Sequence, residues 1–397
     1  MSNFLPEVDV KIGKNLAHEA NKLLQKLNFS DKKICLISDK KIWENCASFF
    51  DDNFKNSCKT LILEDARPDE KNISQITKFA KNTQLIIALG SGTINDLCKF
   101  ASYKTDIPYI VFASAPSMNG YLSRNASIIV GGHRKTLAAR LPLAVYADIS
   151  ILKSAPKSMI QAGIGDSMCF YSCWFDWLLS HLILGTKFNT KPFEILHKKM
   201  DFFVKNYLKF KLNDDKLLEI LIEILLLSGS GMTIAGGSYP ASQSEHLISH
   251  SFEMKYPKKA HKIFHGLQIA ITTLTTAKLQ EKLLAKDFLQ LKKAEFPTKK
   301  IEKFFDKKIA AECKKEYYEK INFNLEEVNK RLELDWKRHR KVLQKIILPQ
   351  KTIKIILQHF KIKNSAKSLK LSNQQYLELV SNSKFIRNRF TCLDLID

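Results

Sequence analysis

LIIALGSGTIND (Leu85–Asp96) decides the architecture of the first part of this chain. An aliphatic run of strand type enters Gly90, Ser91 and Gly92, and Thr93–Ser102 then follows a helical pattern. Small residues at a strand-to-helix turn let backbone N–H groups and a helix N-terminus approach a phosphate. The stretch is neither GxGxxG nor a Walker motif with its lysine, so a plain tight turn explains it as well as a phosphate cradle does. Asp96 falls in the first helical turn, where a carboxylate interacts favourably with the helix dipole.

The flanking sequence repeats the same alternation. Candidate strands are Lys33–Ser38, Thr60–Glu64, Leu85–Leu89, Tyr109–Ala113, Ser127–Val130 and Leu143–Asp148, with helices read over Glu19–Leu27, Ile73–Lys81 and Thr93–Ser102. This is the pattern of an open α/β sheet of parallel strands covered by helices, a Rossmann-like arrangement that binds ligands at the carboxyl ends of its strands. Asp39 closely follows a strand, where its carboxylate either accepts hydrogen bonds from a ribose hydroxyl or caps the helix starting at Lys40. SAPSMNGYLS (Ser114–Ser123) follows another strand and reads either as an ordinary turn at Asn119 and Gly120 or as a second loop contacting phosphate or nicotinamide.

After Pro156 nearly every stretch has helical periodicity, which predicts an α/β domain over 1–157 and an all-α domain over 158–397. The most apolar run, Leu217–Leu227, is interrupted by Glu219 and Glu223 and reads as a buried helix too short to span a bilayer. Gly229–Pro240, GSGMTIAGGSYP, lets helix backbones approach closely or bend.

The composition is that of a soluble globular protein, with 45% hydrophobic and 26% charged residues. A net charge of +23 raises nucleic acid as a partner, but the charges are mostly lysines spread along the chain as solvated helix faces, densest over Lys292–Arg340. The same field favours anionic small molecules. The eight cysteines are scattered, with Cys169 and Cys173 one helical turn apart, so reduced thiols in a cytoplasmic protein are expected rather than a zinc knuckle or disulfide framework. The N-terminal MSNFLPEVDVKIGKN lacks an apolar core of signal-peptide length.

Chemistry concentrates in three clusters: Asp166 in AGIGDSM, His246 and His250 in SEHLISH, and His265 in FHG. Asp166, His246 and His265 offer one carboxylate and two imidazoles, a set that holds a divalent metal with a position open for a substrate oxygen. His246 and His250 share a helix face, but Leu247, Ile248 and Ser249 between them provide no glutamate base, which argues against a metalloprotease. A lone helical histidine is more often a structural hydrogen-bonding residue than a ligand, and His261, in lysine-rich YPKKAHK, reads as an exposed loop residue without a role.

In order, GSGTINDLCKFAS, SAPSMNGYLS, ADISILKSAPKSMIQAGIGD, SEHLISH and HG resemble the sn-glycerol-1-phosphate dehydrogenases, and so does the ending IRNRFTCLDLID (Ile386–Asp397). That family lies within the superfamily of iron-containing alcohol dehydrogenases, glycerol dehydrogenases and dehydroquinate synthases. The resemblance runs from about Lys33 to the end and is weakest over Lys292–Leu371. It implies a dehydroquinate synthase-like fold, NAD or NADP, one divalent metal (zinc first, nickel or iron as alternatives), and a homo-oligomer of at least two chains without membrane insertion. Asp166, His246 and His265 then correspond to the metal ligands, and His250 and Asp166 to substrate contacts. Gly90, Ser91, Gly92, Thr93 and Asp96 match the pyrophosphate loop, and Ser114, Ser117 and Ser123 the second cofactor segment. Where the family has an aspartate near the substrate, this chain has Asn119, which keeps an acceptor but loses the charge.

The implied reaction is reduction of dihydroxyacetone phosphate to sn-glycerol 1-phosphate, with His250 holding a substrate hydroxyl or relaying a proton. Lys99, Arg124 and Lys255 are candidate phosphate contacts. Alternatives are a reductase of another phosphorylated or polyol carbonyl compound, a dehydroquinate-synthase-like cyclase, whose basic motifs are not found, and a catalytically weak binding homologue.

Overall fold

The computed structural model describes residues 5–30, 32–130, 133–293 and 296–395. The chain forms two compact units, one comprising Met1–Gly163 and Ile195–Gly236, the other Ile164–Glu194 and Gly237–Asp397. This grouping differs from a single cut after residue 157, because Ile195–Gly236 packs with the first unit. The reason is the Asp215–Ala235 helix, which is apolar on almost every side and packs against the Ile149–Ser154 helix and the first strand. At 21 residues it is longer than the Leu217–Leu227 run suggested, and by length and hydropathy it could cross a membrane, yet 78% of its most apolar window is buried within the fold.

The first unit contains a six-stranded sheet of β1 (Asp9–Gly13), β2 (Ile34–Asp39), β3 (Cys58–Leu63), β4 (Leu85–Gly90), β5 (Tyr109–Ala113) and, after β6 (Asn125–Val130) and β7 (His133–Ala138), β8 (Ala144–Asp148). Its order is β1-β8-β5-β4-β2-β3, and every neighbouring pair is parallel. Every residue of β4, β5 and β8 is buried, as a parallel sheet covered on both faces requires. β1 was not foreseen: Asp9–Gly13 is a half-buried edge strand in which Asp9, Lys11 and Gly13 dilute the strand signal of Val10 and Ile12. The reading of Ser127–Val130 as one more strand of the main sheet is corrected. β6 pairs antiparallel with β7 in a separate two-stranded sheet, a pairing that needs no helical crossover.

The chain moves outward from β2 to β3 and then returns to β4 on the other side of β2, so the strand order reverses between β2 and β4. Asp39 and Gly90, the last residues of these two strands, therefore lie at the carboxyl ends beside the switch point, where open α/β sheets bind ligands.

The second unit contains no strand among its described residues. Its helices include Phe170–Leu184, Ser244–Lys255 and His265–Leu284. One apolar core gathers Leu247, Ile248, Phe252 and Ile271 with Phe304 and Leu379, and another packs Phe175 and Leu179 against Leu332 and Trp336. The helices that carry the histidines are thus anchored through apolar stripes on their own faces.

Candidate metal centre and cofactor loop

Asp166 lies in the last turn of the Lys157–Ser167 helix, His246 near the start of Ser244–Lys255, and His265 opens His265–Leu284. Their donor atoms all lie within 4.8 Å of one another, with Asp166 and His246 buried and His265 half-buried. His246 Nε2 is 3.9 Å from Asp166 Oδ1, and the His246 and His265 ring centres are 5.2 Å apart. One glycine makes this convergence feasible. A Cβ on Gly165 would stand 2.2 Å from the Gly266 carbonyl oxygen, so only a residue without a side chain lets the two backbones approach this closely. AGIGDSM and FHG therefore read as a matched pair, each with a glycine next to its metal-type donor.

Two glutamates that sequence reasoning passed over hold the imidazoles. Glu245 Oε1 accepts from His246 Nδ1 at 2.9 Å, which leaves Nε2 facing the donor cluster. Burial would raise the Glu245 carboxyl, but hydrogen bonds from His246, Cys173 and the Gln243 N–H outweigh it and hold the group at about 2. Glu253 lies between two rings, with Oε2 3.2 Å from His250 Nδ1 and Oε1 3.4 Å from His265 Nδ1. Burial opposes its charge too, yet the two histidines keep its pKa well below the ordinary value. The local signals existed: Glu245 directly precedes His246, and Glu253 is three residues beyond His250 on the same helix face.

His250 sits beside the cluster, its ring centre 5.9 Å from that of His246 and 5.6 Å from that of His265. Burial drives its pKa down to about 4 despite Glu253, so the ring is neutral near pH 7. With Nδ1–H given to Glu253, Nε2 is the acceptor. Cys169, Cys173, Glu245 and His246 form a second group of close donors. Burial pushes the Cys173 thiol well up, and it donates to Glu245 at 3.0 Å, so these sulfurs act as hydrogen-bond support for His246 rather than as thiolate ligands. All eight cysteines are buried and free. His261 is exposed, as its lysine-rich context suggested.

The donor set suits a divalent cation: one carboxylate oxygen and two imidazole nitrogens, mutually close, with both rings oriented by carboxylates on their other nitrogen.

In the first unit, β4 ends at Gly90 and Ser91 leads into the Gly92–Thr105 helix without any side-chain cap on its first N–H groups. Thr93 is half-buried in that first turn. Asp39 caps the Lys40–Cys46 helix by accepting from the Ile42 N–H at 2.9 Å, so the capping role is the one this geometry displays. Asp96 Oδ2 accepts from the Ser127 N–H at 3.0 Å and thereby ties the helix to the β6 strand.

Within Ser114–Ser123 the three serines are buried. The Ser114 N–H donates to the Gly90 carbonyl at 3.1 Å, joining the two loops. The Ser123 hydroxyl is used internally: it donates to the Asn125 carbonyl at 3.1 Å and accepts from the Asn125 N–H at 3.0 Å. The Asp215–Ala235 helix supports this segment from behind, where a Cβ on Gly229 would be 2.6 Å from the Asn119 carbonyl. Asn119 Nδ2 donates to Ser228 Oγ at 3.3 Å. The close helix approach expected of GSGMTIAGGSYP thus occurs at Gly229, against the very loop that carries Asn119.

Of the three candidate phosphate contacts, Lys99 is corrected and the other two have partners of their own. Lys99 is fully buried and donates to the Gly120 and Asn125 carbonyls at 2.6 and 3.1 Å, a fastening for the loops. Arg124 pairs with Glu7 at 3.1 Å on the surface. Lys255 donates to the Phe304 carbonyl and lies 4.8 Å from the centre of that residue's ring.

Residues 11–156 match the family model described as iron-containing alcohol dehydrogenase. The chain is 32% identical over 270 residues to the glycerol-1-phosphate dehydrogenase [NAD(P)+] of Geobacillus thermodenitrificans, covering 65% of this chain and 67% of that protein. Its identity to the enzyme of the same name from Thermococcus sibiricus is 31% over 280 residues, covering 68% of this chain and 77% of that protein. The crystal structure of glycerol dehydrogenase from Schizosaccharomyces pombe shares the fold, with a TM-score of 0.65, 16% identity, and coverage of 98% of this chain and 86% of that one. The chain belongs to the glycerol-1-phosphate dehydrogenase family of iron-containing alcohol dehydrogenases.

Proposed function

We propose that the protein reduces the ketone of dihydroxyacetone phosphate to sn-glycerol 1-phosphate with NADH or NADPH. The observation that carries this reading is the Asp166, His246 and His265 donor cluster, its atoms within 4.8 Å of one another, in a chain of this family. Asp166, His246 and His265 would hold a divalent cation, zinc first and nickel or iron as alternatives, and its chemistry there would be Lewis-acid polarisation of a carbonyl oxygen. The nicotinamide supplies the hydride. Glu245 and Glu253 fix the His246 and His265 rings, which removes reorganisation from the barrier. His250, neutral with Nε2 as acceptor, holds a substrate hydroxyl and is the group through which a proton reaches or leaves the substrate oxygen. The uncapped N–H groups after Gly90 receive the pyrophosphate of the dinucleotide, with Ser91, Gly92 and Thr93 lining the approach. Asp39, at the end of the adjacent strand, has a second oxygen for a ribose hydroxyl. The buried free thiols suit a reducing compartment, the cytoplasm.

Asn119 favours a second reading, a reductase of a different phosphorylated or polyol carbonyl compound, because an amide cannot accept a proton where the family has a carboxylate. Purified protein assayed by nicotinamide absorbance over a panel of phosphorylated and free ketones separates these readings. The proposal expects highest kcat/KM for dihydroxyacetone phosphate, loss of turnover on exhaustive chelation, and recovery with zinc or nickel. Turnover that survives complete metal removal refutes it.

A further inference from the structure

The end of the chain is pinned at several points. Lys320 Nζ meets Asp394 at 2.7 Å, the Asn388 N–H donates to Glu316 at 2.6 Å, and the Cys392 N–H donates to Asp176 at 3.2 Å. Arg389 donates to the Ser242 carbonyl and to the Ser238 hydroxyl, and its guanidinium lies 4.6 Å from the centre of the Tyr239 ring. The Ser383–Phe385 turn just before it packs on the Ser244–Lys255 helix, which carries His246 and His250. A rigid segment therefore runs along the histidine-bearing helix.

Arg387, in the middle of this segment, is half-buried, and among the described residues its guanidinium makes no hydrogen bond or ion pair. Its neighbours include a second guanidinium, Arg389, and the Glu316 carboxylate. It stands two residues beyond the turn that packs on the Ser244–Lys255 helix and two before Arg389, which is fastened at Ser238 and Ser242 just ahead of that helix, so Arg387 lies along the helix that carries His250. The carboxylate felt most by Arg387 is Glu316, whose Oε2 is already taken by the Asn388 N–H. A guanidinium partly withdrawn from water, beside a second one and with no hydrogen bond or ion pair among the described residues, calls for an anion. Its planar fork matches a phosphate, which it binds through two parallel N–H···O bonds.

Resting on the reading of the substrate as a phosphorylated ketone, we propose that Arg387 is the phosphate anchor, its guanidinium binding the substrate phosphate while His250 and the donor cluster receive the carbonyl end. Selectivity for a phosphorylated over a free ketone then resides in the chain's final segment. Arg389, held by Ser238, Ser242 and Tyr239, positions that segment.

The test compares kcat/KM for dihydroxyacetone phosphate with that for dihydroxyacetone in wild type, Arg387→Ala and Arg387→Lys, with inorganic phosphate as a competitive probe. For Arg387→Ala the ratio of the two kcat/KM values falls about thirtyfold, the size of a lost charged hydrogen-bonding pair, and metal content stays at the wild-type level. Arg387→Lys, which keeps the charge and stem but not the fork, falls in between. Inorganic phosphate competes with the phosphorylated ketone in wild type and loses that competition in Arg387→Ala. Should Arg387→Ala fail to fold, Arg387→Lys carries the test: an unchanged ratio together with unchanged phosphate competition overturns the anchor. A wild-type enzyme with no preference for the phosphorylated ketone overturns the proposed substrate itself. A wild-type preference that survives in both variants overturns Arg387 alone.

Discussion

Glu245 and His246 are neighbours in sequence and also hydrogen-bond partners, the carboxylate Oε1 standing 2.9 Å from the imidazole Nδ1. A carboxylate that takes the Nδ1 proton fixes the tautomer, so the metal-facing nitrogen is the free one. Glu245→Gln keeps the volume and removes the charge. We expect its metal affinity to drop about 10- to 100-fold, measured by competition with a coloured chelator. Glu245→Ala additionally strands Ser172 Oγ, Cys173 Sγ and the Gln243 N–H, all within 3.0 Å of the carboxylate, and costs about 1–3 kcal/mol in denaturant unfolding.

Gly165 and Gly13 form a contrasting pair. Gly165→Ala drives a methyl group to 2.2 Å from the Gly266 carbonyl, whereas a Cβ on Gly13 meets nothing within 4 Å. Gly165→Ala is expected to lose about 1–3 kcal/mol and to release the metal, since the displaced backbones carry Asp166 and His265. Gly13→Ala should stay within about 0.5 kcal/mol of wild type and keep its metal. Thermal melts and metal analysis of the two variants make the comparison.

The pH dependence of stability has a definite sign at His250. Burial holds this histidine at about 4, below its ordinary value near 6.5, so the unfolded chain binds more protons between those limits. Its contribution to stability is therefore complete above about pH 6.5 and is lost as pH falls toward 4. Asp176 works in the opposite direction, because burial raises its carboxyl to about 6, and its contribution is lost as pH rises through that value. A difference between two proteins isolates the histidine. The stability advantage of wild type over His250→Asn, from urea unfolding, should shrink by about 2 kcal/mol between pH 7 and pH 5. An advantage that is flat with pH contradicts the neutral, half-buried imidazole.

Asn119 donates to Ser228 Oγ at 3.3 Å. Asn119→Asp exchanges that donor for an acceptor, and the Ser228 hydroxyl can turn to donate to it, so the fold should tolerate the change. If the carboxylate aids proton handling, kcat/KM for dihydroxyacetone phosphate rises severalfold in Asn119→Asp, with a melting temperature within a few degrees of wild type. Steady-state kinetics read this directly, and an unchanged kcat/KM means that the neutral contact suffices.

The sheet was legible because its central strands are buried on both faces: LIIALG and YIVFA leave no polar face to confuse the period. β1 was missed and the sheet of β6 was misassigned because DVKIG and NASIIV are short and half-exposed, and their pairing depends on what lies beside them. Asp166, His246, His250 and His265 could be picked out one motif at a time, since metal-type donors beside glycines stand out in a linear string. Lys99 misled for the complementary reason. A lysine looks like a free charge until the fold surrounds it with the Gly120 and Asn125 carbonyls.

By itself the sequence determined which residue types were available: a β-strand to helix turn without bulk at Gly90, a carboxylate and three imidazoles in fixed order, and a helix apolar on almost every side. Tertiary structure alone decided their use. The close approach of Gly165 and Gly266 brings Asp166 and His265 together, Glu253 reaches two rings at once, and among the described residues Arg387 makes no hydrogen bond or ion pair while Arg389 is consumed. The physical reason is that hydrogen bonds, burial and charge act through space over a few ångströms, whereas these partners lie as far as 151 residues apart along the chain.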